Sequence, residues 1–288
     1  MDGKTAMQGK VCVITGATSG IGLVAAERLA AMGARLVLVG RDKTRGEAAL
    51  ARIKARAPGA APRILYGDLS LLAEIDRIAA EIGALEPRID VLVNNAGAMF
   101  AERGVTADGL ERTFALNHMA YFGVTNRLKG NLAAAAPARI VNVASAAHHR
   151  AASGLDFADL QSEHGYHYFT VYGRSKLANI LFTRELARRL AGSGVTANCL
   201  HPGFVATRFG NNNSGFFNIG IRIAKLFAIS PEKGAETIVY LASSPEVANV
   251  SGGYFSGCRP TKTSRAAQDD AAARRLWEES ARLAKLPG

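Results

Sequence analysis

Seven short runs rich in Val, Ile and Leu, separated by longer stretches of helical spacing, constrain this chain more than any other feature. They read VCVIT (11–15), RLVLVG (35–40), RILYG (63–67), VLVNNAG (91–97), RIVNVAS (139–145), VTANCLHPG (195–203) and GGYFS (252–256). Runs without polar alternation suit strands covered on both faces, as in a parallel sheet between helices. The intervening stretches, rich in Ala, Leu, Arg and Glu, predict helices over 21–32, 43–56, 70–85, 107–133, 172–191, 231–243 and 269–285. Gly33 and Gly192 follow two of them, where a left-handed cap is wanted. The series is βαβ. It predicts an α/β fold, a doubly wound parallel β-sheet with helices on both faces, in a single domain spanning 1–288.

With 48% hydrophobic residues, the 288-residue chain can bury enough surface to offset the entropy of ordering, which argues against disorder. Cys12, Cys199 and Cys258 make no CxxC or zinc spacing, so reduced thiols and a cytoplasmic setting are expected. The N-terminus lacks the pattern of a secretory signal, and no uncharged apolar stretch approaches the ~18 residues of a membrane span. A net charge of +11 admits nucleic acid, an anionic surface or a phosphorylated ligand as partner. No basic recognition helix, zinc finger or RNA-binding signature accompanies it, so no nucleic acid partner is expected. Residues 1–60 hold ten Lys+Arg against four Asp+Glu, with Arg41, Lys43 and Arg45 just past the second run.

Directly after the first run comes Thr15-Gly16-Ala17-Thr18-Ser19-Gly20-Ile21-Gly22, opening into a predicted helix. Glycines let the backbone approach a pyrophosphate, and a helix N-terminus offers free N–H groups. In the first strand-to-helix turn of a βαβ unit this favours a dinucleotide over a plain turn, and the fold is then Rossmann-type. At the end of the second run, Gly40 stands where an acid would accept the ribose hydroxyls of NAD, and Arg41 follows with a guanidinium suited to a 2′-phosphate. NADP(H) is therefore the expected cofactor. The plainer alternative, Arg41 solvated and Asp42 an N-cap, is compatible with it.

Tyr172-Gly173-Arg174-Ser175-Lys176 puts a phenol and an ammonium on one helix face, where the cation is expected to lower the tyrosine pKa. At this point the chain resembles the short-chain dehydrogenase/reductase family, through TGATSGIG (15–22), Asp68-Leu69, NNAG (94–97), Asn117, Ser145, YGRSK (172–176) and HPGFVAT (201–207). The resemblance covers roughly residues 9–258 and is nearest the retinol dehydrogenase-like branch, through LNHMAYFGVTNRL (116–128), VNVASAAHH (141–149), FADLQ (157–161), YGRSKLANILFTRELARRL (172–190) and SGGYFSGCRPTKTS (251–264). It implies a Rossmann-type, NADP-linked enzyme that interconverts a lipophilic alcohol and its carbonyl.

Carried over by position, the resemblance makes Tyr172 the general acid or base, and gives Lys176 the nicotinamide ribose and control of the Tyr172 pKa. Ser145 would hydrogen-bond the substrate oxygen, and Asn117 would fix a water in a proton relay. The pyrophosphate would lie against Gly16, Thr18, Ser19, Gly20, Ile21 and Gly22, and the 2′-phosphate on Arg41. The adenine would meet Asp68 and Leu69, the adjoining ribose region Asn95, Ala96 and Gly97, and the nicotinamide Pro202, Gly203, Val205 and Thr207. Ser145 precedes Tyr172 by an interval that is long for the whole family but usual for this branch; a plain strand-end cap is the alternative for this serine.

Insertions near 148–171 and 204–230 are expected to shape the substrate pocket. The Phe/Ile-rich stretch 216–229 is expected to be a lid packed on the core rather than a peripheral membrane contact. His118, His148, His149, His164, His167 and His201 are expected to be hydrogen-bonders, with no metal bound. The chemistry of the resembling family requires none. Homo-oligomers occur in the family. The rival function class is a catalytically silent NADP-binding sensor or scaffold, which would have no need of the Asn117, Ser145, Tyr172 and Lys176 set.

Overall fold

The apolar runs become strands, all but one at the sheet edge largely buried, and a two-residue exposed strand follows them. They are β1 (Val11–Thr15), β2 (Arg35–Gly40), β3 (Arg63–Tyr66), β4 (Val91–Asn94), β5 (Ala138–Val143), β6 (Val195–His201), β7 (Tyr254–Ser256) and the two-residue β8 (Arg259–Pro260). A computed structural model describes residues 6–204 and 229–286. There the strands form one eight-stranded sheet in the order β3-β2-β1-β4-β5-β6-β7-β8. Every pairing is parallel except β7 with β8, a terminal hairpin that the sequence pattern does not announce. The order reverses between β1 and β4, and a ligand crevice opens at the carboxyl ends of strands at such a switch point.

The helices are α1 (Gly20–Ala31), α2 (Lys43–Arg56), α3 (Leu72–Leu85), α4 (Arg112–Phe114), α5 (Ala120–Arg127), α6 (Lys129–Ala134), α7 (Tyr168–Arg189), α8 (Pro231–Ser243) and α9 (Asp270–Leu283). Successive side chains of a strand point to opposite faces of its sheet. Val13 and Val37 accordingly join a core with Ile75 of α3, Phe122 of α5, Leu181 of α7 and Trp277 of α9. Cys12, Ile14, Leu36 and Leu38 join a second core with Leu29 of α1, Ile53 of α2 and Ile238 of α8. Both faces are covered, which is why these strands tolerate no polar alternation.

Helix starts follow local chemistry. Asp42 accepts the Arg45 N–H and Ser230 the Lys233 N–H, with Pro231 at the first turn of α8. The stretch expected as one helix over 107–133 is broken up. Gly109 sits at φ +78° in a turn closed onto Thr106, and the buried Glu111 then starts the helix by accepting the Thr113 and Phe114 N–H groups. Residues Ala115–Met119 form a π-helical turn. Leu128 leaves helical geometry between α5 and α6, and Asn131 donates to the Gly83 and Glu86 carbonyls at the end of α3. In the 148–171 insertion, Ala146–Ala151 forms a 3₁₀ turn and α7 begins at Tyr168, four residues before its expected start.

Candidate active site

The Gly-rich turn lies at the switch point and is fastened to two neighbouring strands. Gly16 and Ala17 donate to the Val39 carbonyl of β2 (2.9 and 3.3 Å). From the other side, Asn95 Nδ2 donates to the Thr15 and Gly16 carbonyls (2.9 and 3.0 Å), while Thr15 Oγ1 accepts the Asn95 and Ala96 N–H groups (2.9 and 3.1 Å). This clamp explains two of the glycines. Gly16 has φ +65°, and a Cβ there would lie 2.7 Å from Ala96 Cα; a Cβ at Gly22 would collide with Asn95 Nδ2 and come within 2.6 Å of the Gly16 carbonyl.

Gly22 and Asn95, expected at the cofactor from the sequence, also hold the turn in shape, with the Asn95 Nδ2 group donating to the turn's carbonyls. Ser19 takes the N-cap position of α1 without a side-chain capping bond, and no acidic residue lies in the first turn. The first-turn N–H groups of α1 are thus left for an anion, among Thr18, Gly20 and Ile21.

At the end of β2 a Cβ on Gly40 would meet Thr18 Cγ2, so an acid there would require the Thr18 side chain to turn away. Arg41 is exposed, with Nη1 3.6 Å from Asp68 Oδ2. Asp42 caps α2, as the plainer alternative expected. Asp68 Oδ1 also accepts the Ser70 N–H and hydroxyl (3.0 and 2.7 Å). Leu69 is buried in the core.

The Ser145–Tyr172 interval closes through packing. Ser145 follows β5 and begins the 3₁₀ turn, its Oγ accepting the Ala147 N–H (3.1 Å), so the strand-end cap also exists. That turn presses on α7 so closely that a Cβ at Gly173 would lie 2.7 Å from the Ala147 carbonyl. Tyr172 is thereby brought near the Ser145 side chain, which favours its phenolate.

One helical turn on, Lys176 is 3% exposed and donates to the Val143 carbonyl (3.0 Å), with Nζ 5.7 Å from the Tyr172 ring centroid. Burial pushes its amine down to about 7. The phenol is pushed up to about 12 by the same burial, against the lowering influence of Ser145. The sequence expectation of a lowered tyrosine therefore fails for the chain alone, because desolvation penalises phenolate and ammonium alike.

Asn117 lies in the π-helical turn. Its Oδ1 accepts the Ala98 N–H (2.8 Å), and its Nδ2 donates to the Ala98 carbonyl and to Ser175 Oγ (2.9 and 3.0 Å). Ser175 in turn donates to the Tyr172 carbonyl (2.7 Å). Asn117 thus ties the Asn95-Ala96-Gly97 loop to the helix of Tyr172 and Lys176, and a Cβ at Gly97 would lie 3.6 Å from Lys176 Nζ.

Sequence reasoning missed Tyr121 and Asn179, which also donate to the Val143 carbonyl (both 3.4 Å). Asn179 had a signal, being polar and three residues past Lys176 in an apolar run. His118 is fully buried with Nε2 2.7 Å from Ser280 Oγ of α9. No group of His, Cys, Asp or Glu among the described residues could hold a metal ion. Pro202 and Gly203 are half-buried just past β6. Val205, Thr207 and most of the 204–230 insertion lie outside the described residues, including the expected lid up to 228. At its two ends the Ile229 N–H donates to the Phe204 carbonyl (2.7 Å).

Residues 10–215 match the family described as short chain dehydrogenase. The chain belongs to that family. It is 41% identical to Retinol dehydrogenase 14 of Mus musculus over 290 residues, covering 95% of this chain and 85% of the relative, which sets it in the retinol dehydrogenase-like branch. Among solved structures, a putative uncharacterized protein from Mycobacterium Paratuberculosis matches with TM-score 0.77 and 32% identity, over 97% of this chain and 94% of that one. A Pseudomonas aeruginosa RhlG/NADP active-site complex matches with TM-score 0.69 and 26% identity, over 88% of this chain and 97% of that one. The family is one of oxidoreductases that act on CH–OH groups with a nicotinamide cofactor. No described helix is long and apolar enough to cross a membrane.

Proposed function

We propose that this chain is an NADP(H)-dependent oxidoreductase, acting as one domain on a lipophilic carbonyl/alcohol pair. The observation that carries this is the convergence of Ser145, Tyr172 and Lys176 beside the Asn95–Gly97 loop, at the switch point of the sheet. A dinucleotide is favoured by the uncapped start of α1, and its 2′-phosphate by the absence of an acid at Gly40 and by the exposed Arg41. The Pseudomonas aeruginosa relative is an NADP complex, which agrees, and the name of the mouse relative points to retinoid-like substrates. Free cysteines, two of them buried, suit the reducing cytoplasm.

When bound, the cofactor would supply or accept the hydride at the substrate carbon. Ser145 Oγ would donate to the substrate oxygen, where charge grows as the carbonyl is reduced. Tyr172 would give its phenolic proton to the same oxygen, and take one back when an alcohol is oxidised. A phenol held near 12 keeps its proton at neutral pH, which is the form that carbonyl reduction consumes. Lys176 would turn from the Val143 carbonyl to the nicotinamide ribose hydroxyls, and Asn117 keeps the loop and the catalytic helix in register.

The test is a panel of retinal, aliphatic aldehydes, aromatic ketones and quinones followed at the NADPH absorbance band, with wild type and Tyr172→Phe. Turnover of hydrophobic carbonyls is expected, with the variant slower by roughly 10²–10⁴-fold while binding NADPH as before. No turnover of any member would favour the silent sensor, and an active Tyr172→Phe would overturn the mechanism.

A further inference from the structure

His148 is 0% exposed and touches both the catalytic serine and the C-terminal part of the chain. Its Nδ1 lies 2.7 Å from the Ser145 carbonyl, which also accepts the His148 backbone N–H (3.1 Å). The Ser264 N–H donates to its Nε2 (3.1 Å) across 116 residues of sequence. A backbone N–H can only donate, so Nε2 is the acceptor, the ring is neutral, and Nδ1 carries the hydrogen given to Ser145. Burial holds this histidine below its ordinary range, with His149 and His201 adding to the effect. Tyr254 of β7 packs edge-on at 5.3 Å and His149 lies at 4.0 Å between ring centroids, so the ring has no room to turn.

We propose that His148 is a positioning residue: through its two ring nitrogens it hangs the peptide of Ser145 from the segment around Ser264, and so aims the serine hydroxyl at the reacting oxygen. A carbonyl that accepts two donors fixes the plane of the peptide leaving Ser145. With the backbone at φ −164° and ψ 153°, that plane sets where Oγ can point, between the Ala147 N–H and the Tyr172 phenol. Nothing in the proton chemistry requires an imidazole here, so the role is geometric. The proposal rests on the reading of Ser145 as the donor to the substrate oxygen.

The test is a double-mutant cycle on kcat. His148→Phe is expected to lower kcat by about tenfold or more, with KM for NADPH changed by less than about threefold. In a Ser145→Ala background the same substitution should cost less than about twofold, because the hydroxyl that it aims is gone. His148→Asn keeps a donor near Nδ1 and His148→Gln an acceptor near Nε2, so Asn should restore more of kcat than Gln. That ranking carries the test if His148→Phe does not fold. Equal losses from His148→Phe in both backgrounds, or Gln outperforming Asn, would overturn the role of His148 while leaving that of Ser145 intact. A Ser145→Ala enzyme with full kcat would overturn both.

Discussion

The cofactor side of the crevice is shaped by closely approaching backbone under one Asn95–Thr15 clamp, and the catalytic side by many side chains reaching across the sequence. Around the Gly-rich turn, shape comes from glycines that allow a collision-free approach and from strand ends that share hydrogen bonds. Around Tyr172 it comes from single side-chain links: Asn117 to Ser175, Lys176 to Val143, His148 to Ser264 and His118 to Ser280. The first kind of site fails when an atom is added, and the second when one is removed. Binding a dinucleotide needs a close, rigid concavity, whereas proton transfer needs a few groups held at set distances in a dry place.

One methyl group should break the cofactor side. Gly22→Ala is expected to cost about 1–3 kcal/mol in stability and to weaken NADPH binding, read by thermal melting and cofactor fluorescence. If it bound and melted as wild type, the clamp of Asn95 on the turn would not matter. Arg41→Ala should weaken NADPH by about tenfold or more through one lost charge-assisted contact, with NADH within about twofold. Equal losses would place the 2′-phosphate elsewhere.

The catalytic side should reveal itself through pH. The unfolded chain keeps a proton on the Lys176 amine up to about 10.5, and the folded chain releases it near 7. Between those values the unfolded state binds more protons, so this amine makes stability rise with pH across that window. Tyr172 works in the opposite sense only above 10, since its folded value is the higher one. Melting curves of wild type should therefore rise between pH 7 and 10 relative to Lys176→Met, and parallel curves would contradict a buried neutral amine. The smallest effect serves as the control. Gly130 of α6 has open space around its missing Cβ, so Gly130→Ala should stabilise by about 0.4–1 kcal/mol with cofactor binding unchanged.

The same contrast explains what the sequence could show. β1, β2, α2 and α8 lie at their expected residues, because apolar runs, the Asp42 cap and the Ser230-Pro231 start are local signals. The catalytic residues were found through motif company and the family resemblance, and the distance across the 145–172 interval was not legible. It is closed by the press of the 3₁₀ turn on Gly173, a tertiary contact with no periodicity. The break in 107–133 was missed because the carboxylate of Glu111 looks like any helix former until it is buried under Thr113 and Phe114. The Tyr172 expectation failed for a related reason: spacing shows that a cation is near, but not that both groups are out of water.

The link from His118 to Ser280 of α9, 162 residues apart, gives the molecule an order of assembly as well as a shape. Chains emerge from the ribosome N-terminus first. The hydrogen bonds of the Gly-rich turn and the Asn95 clamp use only residues up to β4 and its loop, although α1 behind them packs on Ile238 of α8. The turn that carries Asn117 and the serine after β5 must wait for Ser264 and Ser280, which follow every parallel strand of the sheet. Until those residues are in place, the links that hold the catalytic side together are missing even where the hydrogen bonds of the Gly-rich turn have formed.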